Sequence, residues 1–487
     1  MRGTNEHSRD ENGPALADPR GMGVGVSGWR LARSVARTGQ LGVVSGTALD
    51  TLLIRTLQSG DPGGHLRRAL AAFPVPELAD SVRQRYFVAG GIGADERYAA
   101  TPRLTADEAC SARELTVVAN FCEVWLAKEG HEGRVGINYL AKVQLATAPA
   151  MFGAILAGVD YVLVGAGIPA EIPDMATRLA QLRPVSARLD VEGDDTAVEL
   201  AFDPASVLCG AQAGPLRRPD VLAIVSLPAL ASYLCRSAQT TPDGFVVEGH
   251  GAGGHSAPPR GPMRLDEQGD PVYGPRDIPD FAKMAALGLP FWIAGGQCGP
   301  EQLRRARAAG AAGVQLGSVF ALCEESGLDA PLRRRLVERE LRTELTVRND
   351  PSASPTSFPF KVADLPGTLA DPAVSAARRR LCDLGYLRTP YRTGHGAVAY
   401  RCPAEPAAMY VRKGGAPEQT KGRQCLCNGL LAAVGLGQRR PHGVVEPPVV
   451  TIGQDLGFLR QLAPEGQTYS AESVVRWLST GLTEATV

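Results

Sequence analysis

Within Gly249–His255 stand four glycines and two histidines, directly after the apolar run Phe245–Val247. An apolar run of that length, closed by glycine, reads as a buried strand feeding a loop. Glycine has no Cβ, so the backbone of such a loop can lie close against a flat ligand. A histidine at its end titrates near neutrality and can move a proton. The stretch therefore describes a platform for a flat cofactor with a base, His255, beside it. The plainer reading is a glycine-rich surface turn with solvated histidines, and a lone histidine is often a satisfied core residue. The neighbouring chain decides between them.

The same chemistry recurs at other apolar runs. LGVVSGTALD (Leu41–Asp50) breaks at Ser45, Gly46 and Thr47, small residues that can bring N–H groups and a hydroxyl to a ring edge or a phosphate. RVGINYL carries the polar Asn138 near its end. Gly295–Gly296 follow LPFWIA, and Gly317–Ser318 follow AAGVQL. Two consecutive strand ends of this kind suit a phosphate held by backbone N–H groups.

The elements that must position these residues alternate. Apolar runs at Leu41–Ser45, Arg134–Leu140, Asp160–Gly167, Val185–Asp190, Val221–Ser226, Phe245–Glu248, Leu289–Gly296 and Ala311–Gly317 read as eight strands separated by helical stretches. That alternation predicts an α/β fold, a (β/α)8 TIM barrel with insertions, whose site lies at the carboxyl ends of its strands. No Gly-x-Gly-x-x-Gly follows the first strand, which argues against a doubly wound dinucleotide-binding sheet. Residues 1–26 read as a disordered tail and 27–330 as the barrel. Insertions fall at about 61–133 and at 191–220, the latter irregular. Residues 331–487 form an α-rich, Cys-containing extension packing on the barrel, docked through Phe358, Phe360 and Val362.

Composition sets the limits. The 487-residue chain has a formal net charge of zero, which asks for neither nucleic acid nor an anionic membrane surface. No apolar run approaches the roughly 20 residues of a membrane span. Ten scattered cysteines fit reduced thiols in a cytoplasmic enzyme. Cys382, Cys402, Cys425 and Cys427 could hold zinc or an iron–sulfur cluster, but they lack a Cys-x2-Cys pair, so ordinary buried thiols are expected and no metal is assigned.

Assembled in order, VVSGTA, GINYL, AGGH, WIAGGQ and GVQLGSVF resemble the nitronate monooxygenase (2-nitropropane dioxygenase-like) family of FMN-dependent barrels, from about Leu41 to Leu322. ASPTSFPFKV resembles that family's post-barrel segment. The resemblance implies FMN as cofactor, lying against Ser45, Gly46, Thr47 and Asn138 over a floor of Gly253 and Gly254. Its phosphate would be held by Gly295, Gly296, Gly317 and Ser318, with Gln315 nearby. The resemblance implies an enzyme that oxidises alkyl nitronates with O2 as co-substrate, with His255 in the place of the catalytic histidine, as its base. His250 and the segment after His255 depart from the family pattern; His250 and Arg260 border the expected substrate. The implied protein is cytoplasmic, with a small-molecule substrate and room for a homodimer.

Two other readings stand beside this one. A flavin-dependent enoyl-thioester reductase has a similar barrel and AGGH, with NAD(P)H as electron donor. A flavin-binding scaffold would act through its Cys-rich tail, which leaves a base over the glycine floor without a purpose.

Overall fold

The computed structural model describes residues 23–107, 110–193, 197–211 and 213–483. The expected N-terminal tail therefore lies outside the described residues as far as residue 22. Residues 23–26 belong to the packed body: Val24 and Val26 are buried.

Seven strands form one parallel sheet. They are β1 (Gly42–Ser45), β2 (Val135–Leu140), β3 (Tyr161–Gly165), β6 (Asp220–Val225), β7 (Gly244–Glu248), β8 (Phe291–Ala294) and β9 (Gly313–Gln315). Neighbours in the sheet follow chain order throughout. A doubly wound sheet reverses its strand order partway; this one winds in one direction, as a TIM barrel does. The strands are buried along their length, which is why they read as continuous apolar runs.

The expected fourth strand is not part of that sheet. Val185–Leu189 (β4) pairs antiparallel, as a separate hairpin, with Val198–Phe202 (β5), a strand inside the region expected to be irregular. The physical reason is visible in V-S-A-R-L, which alternates apolar and polar and is alternately buried and exposed. A barrel strand covered on both faces has no use for that alternation. The barrel's seam is spanned instead by the turn-rich segment from residue 23. There the Ser27 carbonyl accepts from the Ser45 N–H (2.8 Å), and the Val26 carbonyl accepts from the Gly327 N–H (2.9 Å) beyond β9.

Period-2 alternation sorts the strand side chains. Val43, Leu163, Leu222, Ile224, Val246 and Trp292 form one cluster inside the sheet. Val44, Val162 and Val164, and likewise Phe245, Val247, Phe291 and Ile293, face the surrounding helices. Continuing the inward rows to their carboxyl ends reaches Ser45, Asn138, Gly165, Glu248, Ala294 and Gln315. Register holds Ser45 beside Asn138, and Ala294 beside both Glu248 and Gln315.

After the barrel, β10 (Val347–Asp350) and β11 (Phe360–Ala363) pair antiparallel around a loop bearing Ser354, Thr356 and Phe358. The extension then packs back on the barrel, with Leu384 and Leu431 against Val24 and Ala48. Within it Arg440 joins Asp383 (2.6 Å) and Glu446 (2.8 Å), and Arg378 pairs with Glu446.

Candidate active site

A cavity of about 540 Å3 opens at the carboxyl ends of the strands. Ser45, Thr47, Asn138, Gly253, Gly254, His255 and Arg260 all line it. Its other walls are mainly apolar: Ile168, Ile224 and Leu230 from the barrel, and Leu387, Leu426 and Leu430 from the extension.

The glycine loop is held in shape by chain that follows the barrel. Gly254 has φ +75°, a left-handed conformation glycine adopts freely, and open space where a Cβ would stand. Its N–H donates to Thr451 Oγ1 (3.0 Å), and its carbonyl accepts from the Lys361 N–H (2.9 Å). The Ser256 N–H donates to the Pro359 carbonyl (2.9 Å), so His255 and Phe360 meet as an antiparallel bridge.

His255 is thereby fixed. Its ring stands edge-on to Phe360, centroids 4.8 Å apart, and its Nε2 lies 2.8 Å from Ser354 Oγ. Nδ1 has no hydrogen-bond partner among the described residues. Burial, aided by the Lys142 charge, holds the imidazole well below its ordinary pKa, so it is neutral at neutral pH. Ser354 in turn is 2.8 Å from Thr356 Oγ1, to which Lys142 Nζ donates at 3.2 Å. Lys142 sits over the Phe358 ring at 4.5 Å, and burial pulls it down to about 7.

A smaller recess adjoins the cavity and shares Gly253 with it. Gly295, Gly296, Gln315, Gly317 and Ser318 line it, with Gly453 of the extension. Gly295 (φ +87°) and Gly296 (φ +66°) are both left-handed. A Cβ on Gly295 would come 2.8 Å from the Gly249 carbonyl oxygen. The N–H groups of Gly253, Gly296 and Gly317 find no acceptor among the described residues. Ser318 Oγ accepts from the Gly453 N–H (2.7 Å).

Two buried amides supply a test of whether a ring and a phosphate suit these walls. Asn138 Oδ1 and both amide atoms of Gln315 are buried without a hydrogen-bond partner among the described residues. Buried polar atoms are rarely left unpaired unless a ligand or water completes them. With the unpaired N–H groups beside them, they fit a flavin mononucleotide.

Gly46 and His250 stand apart. A Cβ on Gly46 would meet the Tyr139 ring at 2.4 Å, so its glycine serves the packing of β1 on β2, and it does not line the main cavity. His250 stacks flat on Tyr273, centroids 4.2 Å apart, in a separate small pocket. Burial, then the Lys361 charge, lowers its pKa. Arg260 reaches both pockets and donates to Ser226 Oγ (3.2 Å).

Sequence reasoning missed Lys142, Ser354, Thr356 and Thr451 and the cavity wall Tyr386, and it read Cys427, also on that wall, only as an ordinary buried thiol. The hydroxyl run in SASPTS was the one available signal for two of them. Tyr386 donates its hydroxyl to the buried Asp50 carboxylate and lies 2.6 Å from Thr51 Oγ1, tying the extension to the helix after β1. Burial and neighbouring thiols push Cys427 up to about 12. Among the described residues no three metal-ligating side chains are grouped to hold an ion, and no helix is long and apolar enough to cross a membrane.

Residues 205–353 match the family model described as nitronate monooxygenase. The match contains the glycine loop and the Gly295–Gly296 and Gly317–Ser318 pairs of the recess, and ends one residue before Ser354. Over 107 residues, 22% of this chain, the sequence is 39% identical to a nitronate monooxygenase of Pseudomonas aeruginosa. That alignment spans 28% of the relative's length. FabK from Thermotoga maritima aligns at 14% identity with a TM-score of 0.48, over 97% of this chain and 94% of that one. A nitroalkane oxidase from Streptomyces ansochromogenes aligns at 16% identity with a TM-score of 0.47, over 97% of each chain.

Proposed function

We propose, from the match of residues 205–353 to the nitronate monooxygenase family model, that the chain is an FMN-dependent oxidoreductase acting on nitroalkanes and their nitronates with O2. The observation that carries this reading is His255: a neutral imidazole, pinned through Nε2 and unpartnered at Nδ1, on the wall of a cavity shared with Asn138 and Gly254.

Asn138 and Gly253–Gly254 would border the flavin ring, and Gly295, Gly296, Gln315, Gly317 and Ser318 its phosphate. Bound there, FMN supplies the acceptance of an electron pair and its delivery to O2. The chain's own residues do the rest. His255 Nδ1 takes the acidic α-proton of a nitroalkane, or contacts the ready-made nitronate. A neutral imidazole is the form able to accept that proton. The apolar walls exclude water from the anion, and Arg260 places a positive charge at the cavity's edge.

The size and apolar lining of the cavity also favour a second reading, an NAD(P)H-dependent reductase of an enoyl thioester, whose chain Leu230, Leu387 and Leu426 would cover. One experiment separates the two. FMN-reconstituted protein is mixed without oxygen with a nitronate, then with NADPH and a crotonyl thioester, while the flavin absorbance is followed. Bleaching by nitronate supports the first reading, and bleaching by NADPH alone the second. Failure to bind FMN overturns both.

A further inference from the structure

We propose that Lys142 is the terminal proton acceptor for His255, reached through the hydroxyls of Thr356 and Ser354. This rests on the reading of His255 as the base that deprotonates a carbon acid.

The geometry is a continuous row. His255 Nε2, Ser354 Oγ, Thr356 Oγ1 and Lys142 Nζ succeed one another at 2.8, 2.8 and 3.2 Å. Each hydroxyl can donate and accept at once, as a relay requires. The row is rigid. Ser354 is fully buried, and Arg423 clamps its loop through the carbonyls of Ser352 (2.9 Å) and Ser354 and the hydroxyl of Ser357 (2.9 Å).

The protons balance. With Lys142 neutral, Thr356 donates to Nζ, Ser354 to Thr356, and the Nε2–H of His255 to Ser354, leaving Nδ1 bare. When Nδ1 takes the substrate's α-proton, the Nε2 proton passes to Ser354, that of Ser354 to Thr356, and that of Thr356 to Nζ. The imidazole stays neutral in its other tautomer, and the positive charge comes to rest on Lys142. The carbanion's electron pair remains on the substrate.

Lys142 is suited to the acceptor's place. Burial alone lowers its pKa, to about 7, so it is partly neutral at working pH. Among the described residues no charged group shifts it, and Lys142 is the one charged group that shifts His255. Glu248, Arg260, Tyr386 and Cys427 share the cavity wall without contributing to either shift.

The test uses FMN-loaded protein and compares a nitroalkane with its preformed nitronate, which needs no deprotonation. In the wild type, the nitroalkane rate rises with pH through about 7 as Lys142 becomes neutral. Thr356→Val breaks the row but keeps both ends, and Lys142→Met removes the acceptor. Each is expected to lower the nitroalkane-to-nitronate rate ratio roughly 10- to 100-fold and to abolish the rising limb. Imidazole nitrogen NMR of His255 provides a readout without turnover: an inflection near pH 7 in the wild type, lost in Lys142→Met and kept in Thr356→Val. A Thr356→Val protein with the wild-type ratio and profile overturns the relay, as does a wild type whose His255 lacks the inflection. Wild-type protein that binds FMN but turns over neither substrate sinks the functional reading, while the NMR still decides the coupling of Lys142 to His255.

Discussion

His255 Nε2 and Ser354 Oγ lie 2.8 Å apart although 99 residues separate them in the chain. Pairing of β11 with the glycine loop brings them together, and under the proposed function the contact leaves Nδ1 as the ring nitrogen that meets the substrate. Ser354→Ala removes that anchor without adding bulk. The expected result is a loss of roughly 10- to 100-fold in nitroalkane oxidation, as misplacement of a reacting group produces. FMN content should not change, because Ser354 lines neither the cavity nor the recess. Steady-state rates beside flavin absorbance check this; a wild-type rate would show that Phe360 alone holds the ring.

Gly46 separates a packing role from a cofactor role. Its missing Cβ leaves room for Tyr139 and Ile137, which a methyl would approach to 2.4 and 2.9 Å. Tyr139 is buried and cannot swing away without disturbing its neighbours. Gly46→Ala is expected to destabilise the fold by about 1–3 kcal/mol, the usual effect of overpacking. Its denaturation midpoint should fall. An unchanged midpoint with weakened FMN binding would make Gly46 a cofactor contact after all.

Tyr386 and Asp50 join the extension to the barrel through one buried pair. Burial raises the Asp50 carboxyl, and the Tyr386 hydroxyl and the Thr51 N–H (2.9 Å) counter it. Tyr386→Phe strips away one of these donors, so a loss of about 1–3 kcal/mol is expected from a buried acceptor left short of partners. Asp50→Asn relieves the charge, and residues in direct contact do not add. Chemical denaturation of both single variants and the double should therefore show the double losing less than the sum. Additive losses would mean that the two side chains act independently.

Much of the barrel was legible because parallel strands covered on both faces leave unbroken apolar runs that end in glycine, as FVVEG and FWIAGG do. V-S-A-R-L was misassigned although its own alternation pointed to a half-exposed hairpin. The seam at Val26–Ser27 was hidden because a turn-rich segment carries no strand periodicity. Of the candidate site, Ser45 and Asn138, at strand ends, followed from pattern, and Gln315 from the resemblance of GVQLGSVF to the family. Ser354, Thr356, Lys142, Tyr386 and Thr451 did not. Their roles come from loops and an extension folded back over the barrel mouth, and such contacts have no local signature in sequence.

Lys142 predicts a dependence of stability on pH whose sign can be worked out. An ordinary lysine titrates near 10.5, and in this fold burial lowers Lys142 to about 7. Between those values the unfolded chain holds a proton that the folded chain releases, so stability rises with pH across that window. Below about 7 both states carry the charge, and the fold bears the whole penalty of burying it. One pKa unit corresponds to roughly 1.4 kcal/mol, and partial solvent screening brings the total to on the order of 2–4 kcal/mol. Lys142→Met keeps the apolar stem over Phe358 and removes the charge. It is therefore expected to exceed the wild type in stability at pH 6, with the difference shrinking steadily and nearly gone by pH 10. Urea denaturation of the two proteins across that range measures it. A difference that stays constant with pH would mean that Lys142 titrates as it does in water. It would then remain charged at neutral pH and could not receive the proton from His255.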